Sequence, residues 1–160
     1  MTDLATEWIY HTIQKTSGER ILCADENHAK TFSLSSEASL SIFTNRYDIA
    51  QQLTSDNVAV ILNDFDFSSI QSNTLDHFYY RISKEKAVTH HIINEASRCL
   101  KIGGTLWLAG GKNEGIKTYI EKTEAVFGES PSKKKNGMFY FSHVKKADIL
   151  IIDAALLYET

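Results

Sequence analysis

Residues 95–122 read EASRCLKIGGTLWLAGGKNEGIKTYIEK, and this stretch decides the fold. The pattern predicts a helix that ends at Gly103-Gly104, a short strand over residues 105–109, and a second helix that begins after Gly110-Gly111. Glycine suits both corners because it adopts positive φ and allows close backbone approach. The apolar run over residues 106–108 is typical of a strand that is covered on both faces. A helix, a buried strand and a helix in this order indicate one unit of a parallel α/β sheet.

Short apolar runs alternate with amphipathic segments along most of the remaining chain. Strands are predicted at residues 21–24, 39–43, 58–62, 75–82 and 138–144. Helices are predicted at residues 4–15 and 48–53, from residue 83 to the Gly103-Gly104 pair, and at residues 115–127. Leu4, Trp8 and Ile13 mark one face of the first helix, Ser83 is the expected N-cap of the third, and residues 130–135 form a basic loop. The alternation predicts an α/β fold with a Rossmann-like, mostly parallel twisted sheet, helices on both faces and an antiparallel strand near the C-terminal end.

Composition restricts the class of protein. The 160 residues are 42% hydrophobic and 23% charged with a net charge of -3, which is ordinary for one globular domain. A net negative charge argues against binding of nucleic acid over the whole surface, although it is compatible with a local basic patch. Cys23 and Cys99 lack CxxC spacing and predict buried, reduced thiols. Without a membrane-length apolar run or a signal-peptide core, we expect a cytoplasmic protein with no membrane partner.

The loops that follow the first two strands argue against a cofactor site. A nucleotide or S-adenosylmethionine site needs a glycine-rich turn after the first strand, where backbone N–H groups meet the ligand. That strand ends in CADENHAK, and the chain has no glycine between Arg20 and Gly103. The second strand ends in Thr44-Asn45 rather than in an acidic residue that would hold ribose hydroxyls. Together the two loops predict that the usual cofactor site is lost.

The run GGKNEG, residues 110–115, has two interpretations. It carries glycine at the first and last positions of GxGxxG, but Lys112 occupies the middle one, and the Lys-Ser/Thr of a Walker A loop is missing. We favour a glycine corner that starts a helix. The alternative is an anion or relocated nucleotide site, with Gly110, Gly111, Lys112 and Asn113 as the candidate cofactor-binding residues.

Other polar patterns do not predict chemistry. His90-His91 point in different directions on a helix, and no acidic or cysteine partner is spaced for a shared ion, so we expect no metal site. Asp64-Phe65-Asp66 fits a solvated loop better than a paired-carboxylate site. The remaining histidines stand singly and define no catalytic triad, and no catalytic residue is predicted.

Lysines flank the last aromatic strand and are the candidate RNA contacts. Lys133, Lys134 and Lys135 precede residues 139–141, which read FYF, and Lys145-Lys146 follow them. The strand sends alternate side chains to opposite faces, so most of these aromatic rings are expected in the core. The run KNGMFYFSHV also lacks the glycine–aromatic order of an RRM. A solvated hairpin loop and an RNA phosphate contact are both compatible with the lysines.

A family resemblance is carried by three runs, LKIGGTLWLAGGKNEGIKTYIEKTEAVFG, FYYRISKEKAVTHHIINEA and GMFYFSHVKK. They resemble the two-domain ribosomal RNA guanine-N2 methyltransferases of the small-subunit methyltransferase C type and its large-subunit relative G. The resemblance covers residues 19–146 and is most specific at LWLAGGKNEGIK. It implies two class I methyltransferase-like Rossmann domains, of which the C-terminal one binds S-adenosylmethionine and methylates N2 of an rRNA guanine. In such enzymes the N-terminal domain has lost its cofactor loop and assists RNA recognition and the stability of its partner domain.

This chain resembles the N-terminal domain. The family's catalytic domains carry Asn-Pro-Pro-Tyr/Phe after the fourth strand, whereas Arg81-Ile82-Ser83-Lys84 stands here and Pro131 is the only proline. The resemblance implies a degenerate methyltransferase-like domain over residues 1–146 and a final strand or linker over residues 147–160. Alone, the segment is expected to be inactive and to bind no cofactor, with S-adenosylmethionine bound by the parent enzyme's catalytic domain. Expected partners are that domain and rRNA or the small ribosomal subunit. The alternative is a stand-alone Rossmann-like RNA- or protein-binding module without enzymatic activity.

Overall fold

The computed structural model describes residues 3–25, 39–53 and 59–147. Within these ranges the α-helices are α1 (Leu4–Lys15), α2 (Tyr47–Leu53), α3 (Lys86–Cys99) and α4 (Ile116–Phe127). The strands are β1 (Arg20–Ala24), β2 (Leu40–Thr44), β3 (Ala59–Leu62), β4 (Leu75–Arg81), β5 (Leu100–Gly111), β6 (Ser132–Asn136) and β7 (Phe139–Lys145). A turn of 3-10 helix, Lys112–Glu114, joins β5 to α4. Of the predicted C-terminal strand or linker, all but Ala147 lies outside the described residues.

The seven strands form one sheet in the order β3-β2-β1-β4-β5-β7-β6. Strands β1 to β5 pair in parallel, whereas β7 pairs antiparallel with both β5 and β6. This confirms the predicted Rossmann-like, mostly parallel sheet with an antiparallel strand near the C-terminal end. The order of the strands reverses between β1 and β4, and the carboxyl ends of the parallel strands share one edge there.

Helices cover both faces of the sheet, and the strands alternate between two buried clusters. On β4, Phe78 and Tyr80 belong to the cluster beneath α3 and α4, whereas Tyr79 belongs to the cluster beneath α1 and α2. This alternation follows from the two-residue period of a strand and explains the run of three aromatic residues, 78–80, that precedes Arg81. Cys23 and Cys99 are buried and free, as predicted. Among the described helices none is long and apolar enough to cross a membrane.

Helix α1 has the predicted bounds but a different buried face. The side chain of Asp3 caps it by accepting the Thr6 N–H at 2.8 Å. Ile9 and Ile13 are buried as expected of a core-facing stripe, but Leu4 is 43% exposed. The prediction for Leu4 was wrong because the residue stands in the first turn, where the helix begins at the edge of the sheet.

The stretch that decides the fold contains a longer strand than predicted. Helix α3 ends at Cys99, and β5 passes through both glycine pairs before it ends at Gly111. Leu75 of β4 pairs with Leu100 and His77 pairs with Thr105, so Gly103-Gly104 lies in a bulge rather than at a helix end. A Cβ at Gly104 would lie 2.9 Å from the carbonyl oxygens of Leu75 and Lys101. Glycine is required here because the two strands approach closely, not because the chain turns.

Two other predicted boundaries were wrong. Helix α3 begins at Lys86 with Glu85 as its N-cap residue, so Ser83 is not the cap. The Ser83 hydroxyl donates to Asp25 and accepts the N–H of Glu85 at 3.2 Å. The predicted basic loop is strand β6, which forms a hairpin with β7 through the turn that follows Asn136. All five β6 residues are exposed, and lysines on such an edge strand discourage pairing with another chain.

Candidate functional site at the carboxyl edge of the sheet

The carboxyl ends of β1, β4 and β5 lie side by side where the strand order reverses, and this edge is the place where folds of this type bind ligands. The residues that follow the three strands are Asp25, Ile82-Ser83 and Lys112-Asn113. Their side chains and backbone groups make internal contacts, which fall into two clusters.

The first cluster surrounds Asp25, which directly follows β1 and is 6% exposed. Its Oδ2 accepts hydrogen bonds from the Tyr80 hydroxyl at 2.6 Å and from the Ser83 hydroxyl at 2.5 Å. The Thr89 hydroxyl of α3 lies 3.3 Å from that of Tyr80. Burial, together with the charge of Asp25, raises the pKa of Tyr80 well above its ordinary value, so the phenol stays a donor. Asp25 therefore joins β1 to β4 and to the loop that precedes α3. The residues that follow it in CADENHAK lie outside the described ranges.

The second cluster surrounds Arg81, the last residue of β4, which is 7% exposed. Its guanidinium forms ion pairs with Asp3 at the start of α1 and with Glu114 in the 3-10 turn, the latter with an Nη1–Oε1 distance of 2.6 Å. Nη1 also donates to the Ile82 carbonyl at 2.7 Å. Burial alone would raise the pKa of Asp3, but hydrogen bonds from Arg81 and Thr6 and the charge of Arg81 lower it. Three elements are thus tied together at the end of β4.

A cavity of about 280 Å³ lies beside this second cluster. It is lined by the predicted candidates Gly111, Lys112 and Asn113, and by Asp3, Arg81, Lys84, Glu114, Met138 and Phe139. The N–H of Gly111 donates to Glu114 Oε1 at 2.7 Å, and the N–H of Lys112 donates to the Met138 carbonyl at 2.7 Å. An anion site in this loop would use these two N–H donors, but both already donate to acceptors within the protein.

Gly110, the fourth candidate of this group, does not line the cavity. A Cβ at this position would overlap the side chain of Ile82, so glycine is needed for the packing of β5 on the chain that follows β4. Gly110 therefore has a packing role, and β5 continues through Gly110-Gly111, whereas the glycine-corner interpretation ended the strand before them.

The five predicted RNA-contact lysines do not share one surface. Lys133 and Lys135 lie on the α4 side of β6, since Lys135 pairs with Tyr140 and its ammonium lies 5.8 Å from the Tyr140 ring centroid. Lys134 pairs with Phe141, which stacks on Trp8 of α1, so Lys134 lies on the opposite face.

The two lysines at the far end of β7 are also separated from that group. Lys145 pairs with Thr105 of β5, and by alternation along β7 it shares the face of Phe141. The Lys146 ammonium donates to the Asn73 side chain and to the Leu100 carbonyl, the latter at 3.0 Å. Lys146 therefore holds the end of α3 against the sheet.

The remaining polar candidates are dispersed. His91 Nε2 lies 2.7 Å from the Phe65 carbonyl oxygen, while the His90 ring packs on Tyr119. Asp64 and Asp66 are both exposed in a loop, as the solvated-loop interpretation expects. In the described ranges, no group of three or more His, Cys, Asp or Glu side chains is placed to hold a metal ion.

Sequence reasoning missed the partners of Arg81 and one lysine. Arg81 itself carries a signal, because an arginine that directly follows a buried aromatic run needs a buried counter-charge. Asp3 and Glu114 carry none, since they are 78 and 33 positions away. Lys117 of α4, whose ammonium lies 5.2 Å from the Tyr140 ring centroid, gave no signal either.

The sheet order, the antiparallel β7 and the helices on both faces define the class of protein, a Rossmann-like domain with the class I methyltransferase fold. The T. thermophilus 16S rRNA N2 G1207 methyltransferase RsmC, solved with AdoMet and guanosine, is similar with a TM-score of 0.74 and 18% identity. The match covers 91% of this chain and 39% of that chain, so this chain corresponds to less than half of RsmC.

Other solved structures are matched over most of their length. The PH0226 protein from Pyrococcus horikoshii has a TM-score of 0.65 at 13% identity, with 89% of this chain and 88% of that chain covered. A TehB-like SAM-dependent methyltransferase from Corynebacterium glutamicum has a TM-score of 0.62 at 12% identity, with 90% and 89% covered. Comparison with curated protein sequences gave no match.

The family described as methyltransferase small domain N-terminal matches residues 9–152, and the chain belongs to this family.

Proposed function

We propose that this chain is the non-catalytic N-terminal domain of an S-adenosylmethionine-dependent rRNA guanine-N2 methyltransferase. Residues 1–146 form the degenerate methyltransferase-like domain, and residues 147–160 lead to the catalytic domain. The domain assists rRNA recognition and stabilises its catalytic partner, which binds S-adenosylmethionine, in the cytoplasm. Family membership and the likeness to less than half of RsmC support this proposal.

The observation that carries the proposal is the state of Arg81. In the enzymes that the sequence resembles, an Asn and a backbone carbonyl at this place accept hydrogen bonds from the target amino group. A guanidinium has donors only and cannot replace the Asn. The neighbouring carbonyl of Ile82 already accepts from Arg81 at 2.7 Å, and the guanidinium is held between Asp3 and Glu114. The end of β4 is therefore built for stability, with a donor where the reaction needs acceptors.

The contacts of Asp25 support the absence of a cofactor from this domain. The carboxylate accepts from Tyr80 and Ser83 at 2.6 and 2.5 Å, so it bonds to the neighbouring strand and loop. The Gly111 and Lys112 N–H groups on the same edge are engaged as well. A domain with these contacts gains rigidity at the edge where its relatives bind a ligand.

The coding sequence downstream of Thr160 tests the proposal. We expect a second Rossmann unit with a glycine-rich loop after its first strand and Asn-Pro-Pro-Tyr/Phe after its fourth strand. A stop codon directly after Thr160 would contradict the two-domain proposal and would favour the stand-alone RNA- or protein-binding module.

The non-catalytic role is tested in the two-domain enzyme by comparing substitutions in the two halves. Arg81→Lys is expected to leave the methylation rate per folded enzyme unchanged, whereas substitution of the downstream Asn by Ala abolishes it. A loss of kcat in Arg81→Lys without loss of folded protein would place Arg81 in the reaction and refute the proposal.

A further inference from the structure

A groove lies between α4 and the β6–β7 hairpin, on the face of the sheet opposite α1. It encloses a cavity of about 240 Å³ lined by Lys117, Ile120, Glu121, Lys133 and Tyr140. The ammonium groups of Lys117 and Lys135 lie 5.2 and 5.8 Å from the centroid of the Tyr140 ring. Two lysines from two elements therefore converge on one aromatic side chain, and Lys133 lines the same cavity.

The strand register explains which lysines enter the groove. Lys135 pairs with Tyr140 and Lys133 pairs with Ser142, so both share the α4 side of the hairpin. Directly opposed side chains in an antiparallel pair lie on the same face, whereas Lys134 points to the other face with Phe141. Helix α4 packs against β7 and adds Lys117 to the same side. We call these residues, Lys117, Lys133, Lys135 and Tyr140, the α4 groove.

The charges of the α4 groove are not balanced from within. None of its three lysines forms an ion pair with a carboxylate in the described part of the chain. Glu121 is the single acidic residue of the lining, which leaves a net positive charge. Burial alone would raise the pKa of Tyr140, but hydrogen bonds and charge from Lys117 and Lys135 lower it. The phenol thus reports the positive potential of the groove.

Protection of the sheet edge accounts for lysines on β6 in general, because charged edge strands resist pairing with another chain. Edge protection does not account for Lys117, which belongs to α4 and lies over the ring of Tyr140. Ammonium groups that repel one another are stabilised by a shared anion. Because the whole chain has a net charge of -3, this face is a local positive site suited to a polyanion.

We propose that the α4 groove binds the phosphodiester backbone of RNA, with Lys117, Lys133 and Lys135 contacting phosphates and Tyr140 fixing the positions of the lysines. The inference rests on the proposed function and names its RNA contact. Lys134, Lys145 and Lys146 lie outside this contact: the first two are on the opposite face, and Lys146 is bonded within the domain.

A matched pair of double variants tests the groove in the 160-residue chain. Lys133→Gln with Lys135→Gln removes two groove charges, and Lys134→Gln with Lys145→Gln removes two charges from the other face. Binding to a labelled oligoribonucleotide of mixed sequence is followed by fluorescence anisotropy as a function of salt. Two lost phosphate contacts reduce the slope of log K against log salt by about 1.4 for single-stranded RNA, and the control keeps the wild-type slope. Lys117→Gln alone reduces it by about 0.7.

Equal reductions in both double variants would overturn the inference, because the attraction would then depend on net charge alone. The absence of RNA binding by the wild-type chain would overturn it as well, as would binding of polyglutamate in preference to RNA. Melting curves from circular dichroism check that every variant is folded, which is expected because all five substituted lysines are exposed. These outcomes leave the non-catalytic assignment to its own test, since a domain can stabilise its partner without contacting RNA.

Discussion

In the proposed function, Arg81 has a structural role at the position where the enzymes that the sequence resembles carry a catalytic Asn. The sequence itself shows an Arg at this position, and an Arg predicts the lack of an acceptor there. The ion pairs of Arg81 cannot be read from the sequence, because only tertiary packing brings Asp3 and Glu114 to it. The same holds for Asp25, whose bonds to Tyr80 and Ser83 span 55 and 58 positions.

Replacement of Arg81 is expected to be costly. Arg81→Met leaves two carboxylates, 30% and 13% exposed, without their common partner. Removal of one member of such a buried pair lowers the free energy of unfolding by about 3 kcal/mol. Lys101→Met is the control, because the Lys101–Asp76 pair is exposed and contributes less than about 1 kcal/mol. Urea denaturation measures both values, and similar losses in the two variants would contradict the role given to Arg81.

The Arg81 cluster also predicts a pH dependence. Burial raises the pKa of Asp3 in the folded protein, but hydrogen bonds from Arg81 and Thr6 and the charge of Arg81 outweigh it, so the folded pKa lies below the ordinary value. This contribution to stability is present above the unfolded pKa of about 3.9 and is lost as the pH falls through the folded pKa. Between about pH 5 and pH 2, Tm should therefore fall less steeply in Arg81→Met than in the wild type. Parallel Tm profiles would show that Asp3 is not stabilised by Arg81.

At the scale of elements, β5 is where prediction and structure differ most. Hydrophobic periodicity correctly predicted α1 and the end of α4 at Gly128, where a left-handed residue terminates the helix. The glycine pairs misled because a chain corner and a strand bulge both require glycine, and the local pattern does not distinguish them. Only the turn and the second strand of the hairpin were predicted, the turn from Asn136-Gly137. Strand β6 was missed because three successive lysines have no strand-like pattern of their own, and β6 forms by pairing with β7.

The bulge predicts different costs for its two glycines. In Gly104→Ala the new methyl group lies 2.9 Å from two backbone oxygens, and backbone cannot move aside as a side chain would. We expect a loss of about 1–3 kcal/mol in the free energy of unfolding. Gly103→Asn should cost less, because the space around Gly103 is open and Asn tolerates positive φ. Chemical denaturation compares the two; an equal or larger loss for Gly103→Asn would show that close approach does not determine the position of the bulge.

At the scale of the whole molecule, the sequence was sufficient to predict the fold class but not the distribution of charged side chains over the surface. Alternating strands and helices predict a parallel sheet, because parallel strands require crossovers. The distribution of lysines over two faces follows from strand register, which sequence did not reveal. The same division applies to the carboxyl edge of the sheet. The sequence shows that the glycine-rich loop and the Asn-Pro-Pro-Tyr/Phe motif are missing from it, whereas the contacts of Asp25 and Arg81 depend on which elements pack together.

Titration of S-adenosylmethionine into the 160-residue chain, followed by isothermal calorimetry, tests the non-catalytic assignment most directly. We predict no saturable heat and no ligand-induced rise in Tm, because the donors and the carboxylate at the carboxyl edge are engaged internally. The two-domain enzyme with its catalytic half is the positive control and should bind. Saturable, micromolar binding of S-adenosylmethionine to the 160-residue chain itself would contradict the assignment.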